Sequence, residues 1–169
     1  MASEYGTPRC YNTRMLTRRA TAGDLDAIVA LWREMWDFNA RLDPRMTATP
    51  VANSVQRSWI DGHIDGERSL VLVAQDGRAL VGYALATILE NPPIVPHQFY
   101  GYVSEMSVTE SRRRSGVGTL LLDGVHAWFR TKGLPYAEVT AAVLNQVSRG
   151  FWRRQGYSDF VERLRLDFK

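Results

Sequence analysis

The chain has 169 residues, of which 45% are hydrophobic and 23% charged, with a formal net charge of +3. That fits an ordinary soluble globular protein of one domain with a substantial core, and so small a charge suits a polyanionic cofactor without demanding nucleic acid. No apolar run approaches the roughly 18 residues of a membrane span, the N-terminal MASEYGTPRCYNTR lacks the apolar core of a signal peptide, and the single Cys10 offers no disulfide. A cytoplasmic protein without membrane or metal partners is therefore expected.

Residues 1–13 are expected to be a loose arm ahead of a single domain over 14–169. Met15 to Ala20 reads as a first strand. After a start signal at Gly23-Asp24, Leu25, Ile28, Val29, Trp32, Met35 and Trp36 trace a helical stripe, with the tryptophans expected in the core. Thr49-Pro50 reads as an N-cap followed by Pro at the first helical position, opening a second helix through Trp59 and Ile60. Ser69 to Gln75 and Ala79 to Leu89 are apolar runs joined by Asp76-Gly77, a hairpin signal. Asn91-Pro92-Pro93 to Pro96-His97 cannot continue a strand. A strand over 100–109, a helix over 116–132 ended by Gly133, a strand over 136–143 and a short helix over 147–155 follow. The chain closes on a strand, because Leu164, Leu166 and Phe168 alternate with Arg163, Arg165 and Asp167.

The segment with most chemical content runs Ser-Arg-Arg-Arg-Ser-Gly-Val-Gly-Thr-Leu-Leu-Leu from Ser111 to Leu122. It joins a strand, YGYVSEMSV over 100–108, to a helix on which Val117, Leu121, Val125 and Trp128 recur at helical spacing. A strand, a basic glycine turn and a helix N-terminus make an anion site, because unpaired N–H groups and the positive end of the helix dipole face the turn. The dinucleotide fingerprint needs a third glycine where Leu121 stands, and a P-loop needs a Gly-Lys-Ser/Thr string that is absent.

What remains, Arg113-x-x-Gly116-x-Gly118 after a strand ending at Val108, resembles the pyrophosphate loop of the GNAT superfamily of acetyl-CoA-dependent N-acetyltransferases. A second motif agrees. Asn145, Ser148, Phe151, Trp152, Gly156 and Tyr157 fall in register on the family's N-x-x-A-x-x-F-Y-x-x-x-G-F pattern. The resemblance implies an α/β fold with a single GNAT-like domain. Its sheet would be mixed, mostly antiparallel, with six to seven strands splayed at the centre and about four helices on both faces. It also implies acetyl-CoA as cosubstrate. The backbone of Met106 and Val108 would pair with the pantetheine arm. Arg113, Arg114, Ser115, Gly116, Val117, Gly118 and Thr119 would hold the pyrophosphate. Asn145 would bond the pantetheine or brace the splayed strands. Arg112 is either part of that anion site or a solvated charge.

Acyl transfer to an amine poses two proton problems. An alkyl ammonium has a pKa near 10.4, so freeing its lone pair at pH 7 costs roughly 4–5 kcal/mol. Glu105, on the strand beside the expected thioester, is the catalytic candidate; its alternative is a solvated residue or an ion-pair partner. His97 is the second candidate, on a loop that would lie over the acceptor, and His126 is expected at the surface. Glu34 and Asp37 either attract a cationic acceptor or face solvent. The second problem is the departing thiolate, which most relatives are taken to protonate with a Tyr where this chain has Trp152. An indole N–H is no useful acid. Trp152 is expected instead to pack on the sulfur end of pantetheine, with no dedicated acid.

The expected activity is N-acetylation of an amine-bearing acceptor. The alternative is a diverged CoA-binding sensor or partner-binding protein on the same fold. A nucleic-acid binder using Arg112 to Arg114, Arg149, Arg153 and Arg154 is disfavoured, because no aromatics interleave with an exposed basic stripe. Similar proteins are often homodimers through C-terminal strands, so a homodimer is allowed and the oligomeric state is open.

Overall fold

The structure, a computed structural model, describes residues 15–168; Cys10 and the expected arm over 1–13 lie outside the described residues. The element order is β1 (Leu16–Arg19), α1 (Leu25–Leu42), α2 (Ala52–Ile64), β2 (Ser69–Asp76), β3 (Ala79–Glu90), β4 (Phe99–Val108), α3 (Val117–Thr131), β5 (Ala137–Val139) and α4 (Gln146–Arg154). The strands form one sheet in the order β1-β2-β3-β4-β5. All neighbours are antiparallel except β4 and β5, which are joined through α3 and run parallel.

Side-chain alternation on the strands divides the core between two faces. Leu70, Leu72, Ala84, Ala86 and Val103 pack under Leu121, Leu122, Val125 and Phe129 of α3 and Trp152 of α4. Val71, Val73, Tyr83 and Leu85 face the other way, against Ile28, Leu31 and Trp32 of α1 and Ile60 and Ile64 of α2. The central strands are thus covered on both sides, which is why their sequences read as unbroken apolar runs. The Asp76-Gly77 signal produces the expected hairpin, with Asp76 paired to Ala79 and Gly77 at φ 62°. Ahead of α1, Asp24 accepts from the Thr21 backbone N–H at 2.8 Å and from Arg18 at 2.7 and 2.9 Å. Arg18, the largest influence, and the Thr21 bonds together hold its carboxyl down at about 2 against a burial penalty.

Two expectations need correction. The sheet has five strands among the described residues, not six to seven. The missing strand is the C-terminal one. Residues 157–168 join no ladder, and Phe160, Val161, Leu164, Leu166 and Phe168 are 76–90% exposed. Alternation says which face a strand would bury, but pairing needs an edge to bind, and β5 pairs over only Ala137–Val139. The second helix starts at Ala52, because Thr49 and Pro50 form a turn in which the Thr49 carbonyl accepts from Ala52 N at 3.1 Å. Proline fits such a turn as well as a helix start.

One irregularity positions the site. Leu85 pairs with Glu105 and Ala86 with Val103, so Ser104 is an extra residue bulged out of β4. A bulge bends its strand and re-aims the residues beyond it. Here β4 parts from β5 after Val103, leaving Ser104 to Val108 with β3 on one edge and, among the described residues, no strand on the other. Glu105 is turned to the face of Tyr83 and Leu85, where simple alternation from Val103 would have sent it to the face of α3.

Candidate active site

At the end of β4 the chain makes a 3-10 turn and enters α3 through Arg114 at φ 61° and Gly116 at φ 88°. Left-handed residues in such a turn gather successive N–H groups into a concavity that suits an anion. Gly116 is the N-cap of α3, and it offers no side chain to cap the helix. Among the described residues, the N–H groups from Arg114 through Thr119 find no acceptor; Leu120, on the Gly116 carbonyl at 3.0 Å, is the first that does. Open backbone donors thus stand where the sequence predicts an anion site. A residue other than glycine at Gly116 would carry the left-handed penalty of roughly 1–2 kcal/mol. Gly118 has a different reason: a Cβ there would lie 3.3 Å from the Phe151 ring, so its smallness lets α3 start against α4.

The arginines brace this loop. Arg113 donates through Nε to the Val108 carbonyl at 3.1 Å and through Nη2 to Glu34 Oε1 at 3.1 Å, and its guanidinium lies over the Phe38 ring. Glu34 also accepts from the Thr109 hydroxyl at 2.9 Å and the Glu110 N–H at 2.7 Å, which ties the loop to α1. Glu34 thus neither faces solvent nor waits for a ligand, and Asp37 pairs with Arg33. Arg112 forms an ion pair with Asp76.

Further back along β4, Glu105 Oε2 accepts from Gln56 Nε2 of α2 at 2.7 Å and from the fully buried Tyr83 hydroxyl of β3 at 2.9 Å. Oε1 has no partner among the described residues and belongs to a carboxyl that lines an open cleft. Burial pushes the Glu105 pKa up, against the two hydrogen bonds, which favour the charged form. Tyr83, desolvated and beside that carboxylate, is held well above the ordinary tyrosine value.

The cleft over Glu105 has a volume of about 480 Å³ and is walled by Trp32 and Trp36 of α1, Val55, Gln56 and Trp59 of α2, and Tyr102 and Ser104 of β4. A recess of about 250 Å³, reaching Thr47 to Ala52, shares Trp32, Trp36, Val55 and Gln56 with it. Trp32 and Trp36 stack at 5.4 Å. Glu105 thus sits between an open strand edge leading to the anion loop and a concave space large enough for a small organic molecule.

The second motif is built into the protein. Asn145 is the N-cap of α4: its Oδ1 accepts from Ser148 N at 2.9 Å, and its Nδ2 donates to Asn39 Oδ1 of α1 at 2.8 Å. Both groups are buried, so Asn145 clasps α4 to α1. Trp152 is only 7% exposed, lies edge-on to Phe151 and Tyr157, and donates Nε1–H to Ser148 Oγ at 3.1 Å. His126 is not a surface residue as expected. It is half-buried and shares a 2.9 Å hydrogen bond with the Tyr157 hydroxyl. Burial lowers the His126 pKa and raises that of Tyr157 to about 12. His97 is exposed and packs edge-on to Tyr136, outside the cleft lining.

Sequence reasoning misses Gln56, Tyr83 and Asn39. Tyr83 lies in an apolar strand and Gln56 on an ordinary helix, and their meeting with Glu105 depends on a bulge that leaves no local signal. Glu34 was noticed, but its partner is the loop rather than a ligand.

Known structures share this architecture. The BH1408 protein of Bacillus halodurans superposes with a TM-score of 0.83 at 19% identity, over 91% of this chain and 99% of that one. The aminoglycoside N-acetyltransferase AAC(6')-Iy, solved with CoA, gives 0.73 at 17% identity over 95% and 97%. A predicted acetyltransferase of Clostridium acetobutylicum, solved with acetyl-CoA, gives 0.74 at 16% identity over 91% and 96%. At such identities the likeness establishes the fold alone. No curated protein matches by sequence. The family model described as Acetyltransferase (GNAT) family matches residues 26–157, which span the helices, the arginine-glycine loop and the Asn145 to Tyr157 motif, and the chain belongs to that family.

Proposed function

We propose that the protein is an acetyl-CoA-dependent N-acetyltransferase, passing an acetyl group directly from the thioester to the primary amine of an acceptor. One observation carries this reading: the unpaired N–H run from Arg114 to Thr119 leads along the free edge of β4 to the half-buried carboxyl of Glu105. The N–H groups would take the pyrophosphate, with Ser115, Val117 and Thr119 contributing backbone. The free strand edge would take the pantetheine arm as one more extended strand. The Val108 carbonyl already accepts from Arg113, so Met106 is the better placed of the two for that pairing. Arg113 and Asn145 act as braces in this reading.

The acceptor arrives as an ammonium ion. Glu105 takes its proton, directly or through one water, and the freed nitrogen attacks the thioester carbonyl carbon. The tetrahedral intermediate collapses with loss of the CoA thiolate, and the second proton on the attacking nitrogen passes to that thiolate or to water, leaving the neutral amide. A carboxylate whose pKa burial has raised is a stronger base than an ordinary one, and Tyr83 and Gln56 keep it oriented. A thiol of pKa near 8.5 leaves tolerably as thiolate, so the commitment of the Trp152 N–H to Ser148 does not block the reaction. The aminoglycoside N-acetyltransferase among the neighbours fits an amine acceptor.

Trp152 supports a second reading, a CoA-binding sensor that has kept the fold and lost the chemistry. Nucleic acid is a poorer partner, because Arg112, Arg113 and Arg153 are each paired with a carboxylate. A cytoplasmic location goes with the reading, and among the described residues no helix is long and apolar enough to cross a membrane. The exposed apolar segment 160–168 favours a homodimer in which it pairs with a second copy.

The test is a thiol-release assay with acetyl-CoA against a broad panel of amines, beside calorimetric titration of acetyl-CoA. Turnover with at least one amine is expected. Tight CoA binding without turnover on any amine would favour the sensor, and no binding by the folded protein would remove both readings.

A further inference from the structure

The walls of the cleft differ in kind from its floor. Trp36, Trp59 and Tyr102 present aromatic surface above the buried Trp32, while among the described residues Glu105 is the one carboxylate in the lining. Nearby acids are spent elsewhere: Asp37 on Arg33 and Asp43 on Arg45. Glu138, opposite Tyr102 on β5, is outside the lining. The amine acceptor of the preceding section can therefore be specified further. We infer that it is a monoamine carried on an aromatic or bulky apolar body. Its single ammonium meets Glu105, and its ring lies against the tryptophans.

Three considerations carry this. A flat apolar ring gains from leaving water against indole faces, and offset or edge-to-face aromatic pairing adds to that gain. Trp59, on the cleft wall, is 48% exposed, so a large apolar surface stands open that a ring would cover. A polycation gains less here, because only its first ammonium finds a carboxylate in the described lining and the others meet the apolar faces of Trp36 and Val55 with no partner. A small polar monoamine satisfies Glu105 but leaves the walls unused. The cleft thus selects by body as well as by charge.

This inference rests on the acetyltransferase reading for its chemistry, but binding tests it separately. Phenethylamine, ethanolamine and the polyamino sugar kanamycin are titrated into the protein by calorimetry, and each is then supplied with acetyl-CoA. Phenethylamine is expected to bind at least tenfold more tightly than either of the others. Trp59→Ala should weaken phenethylamine at least fivefold, Trp59→Phe should recover most of the loss, and acetyl-CoA affinity should stay the same in both variants. The inference is overturned if kanamycin or ethanolamine binds as well as phenethylamine, or if Trp59→Ala leaves phenethylamine unaffected. Should phenethylamine bind as described and no N-acetyl product form, the cleft assignment stands and the transferase reading falls. Should ethanolamine or kanamycin be acetylated with the higher kcat/KM, the transferase reading stands and this inference falls.

Discussion

The loop at the end of β4 and the cleft at its middle, which we propose receive the pyrophosphate and the acceptor, are built in opposite ways. The loop uses backbone. Its donors come from one contiguous stretch, Arg114 to Thr119, and the side chains around it serve as braces, as Arg113 on Glu34 shows. The cleft uses side chains brought from α1, α2, β3 and β4, and its one carboxylate faces the cleft only because Ser104 bulges. Anion binding by consecutive N–H groups demands glycine and left-handed turns, which are written locally. Acceptor binding demands surfaces whose meeting depends on register.

That difference can be broken or sharpened by substitution. The largest effect is expected at the cleft. Glu105→Gln should lower kcat/KM by about 10²–10⁴-fold, the usual contribution of a positioned base, while acetyl-CoA affinity changes less than about twofold. A fall of less than about threefold would make Glu105 a bystander. The pH dependence has a definite sign. Burial raises the Glu105 pKa in the folded chain, so the limb of kcat/KM that reports its ionisation should rise above the ordinary glutamate range and vanish in Glu105→Gln. The folded chain also holds that proton more tightly than the unfolded one. The contribution of Glu105 to stability is therefore full below its ordinary pKa and is lost as pH rises through the raised value. Denaturant titrations across this window should show that loss in the wild type and not in the variant.

The next effect separates bracing from ligand binding. Asn145→Ala removes the α4 N-cap, worth about 1 kcal/mol, and strands the buried Asn39 Oδ1, worth about 1–3 kcal/mol. A loss of about 2–3 kcal/mol in unfolding free energy is expected, with acetyl-CoA affinity changed less than about threefold in the folded variant. A large affinity loss without destabilisation would move Asn145 from the frame to the ligand.

The smallest effect is expected at Trp152. Trp152→Tyr supplies a hydroxyl at the Tyr position of the N-x-x-A-x-x-F-Y pattern, yet kcat should change by less than about threefold if thiolate departure needs no dedicated acid. A rise of two decades with unchanged cofactor affinity would show that the missing acid limits the enzyme.

The sequence made one of the two regions legible. The order of helices and strands, the Asp76-Gly77 hairpin and the Gly116 and Gly118 positions all follow from patterns confined to a few residues. The Asn145 to Tyr157 motif was equally visible, although its function as a clasp needed Asn39, far away on α1. Glu105 can be nominated because it lies on the strand beside the expected thioester. Tyr83 and Gln56 could not be, since a one-residue bulge decides whether they meet it at all. The C-terminal alternation falls short for a related reason: it says which face a strand would bury and not whether an edge takes it up, and residues 157–168 join no ladder among the described residues.

The central claim is that the loop at the start of α3 is an acyl-CoA pyrophosphate site, and acetyl-CoA titration of wild type and Gly118→Glu by calorimetry tests it most directly. A glutamate there crowds Phe151 and places a negative charge among the open N–H groups. Saturable binding by the wild type, weakened at least 10²-fold in a variant that circular dichroism shows to be folded, is the predicted result. Equal affinity in the two proteins, or no binding by the wild type, would contradict the account.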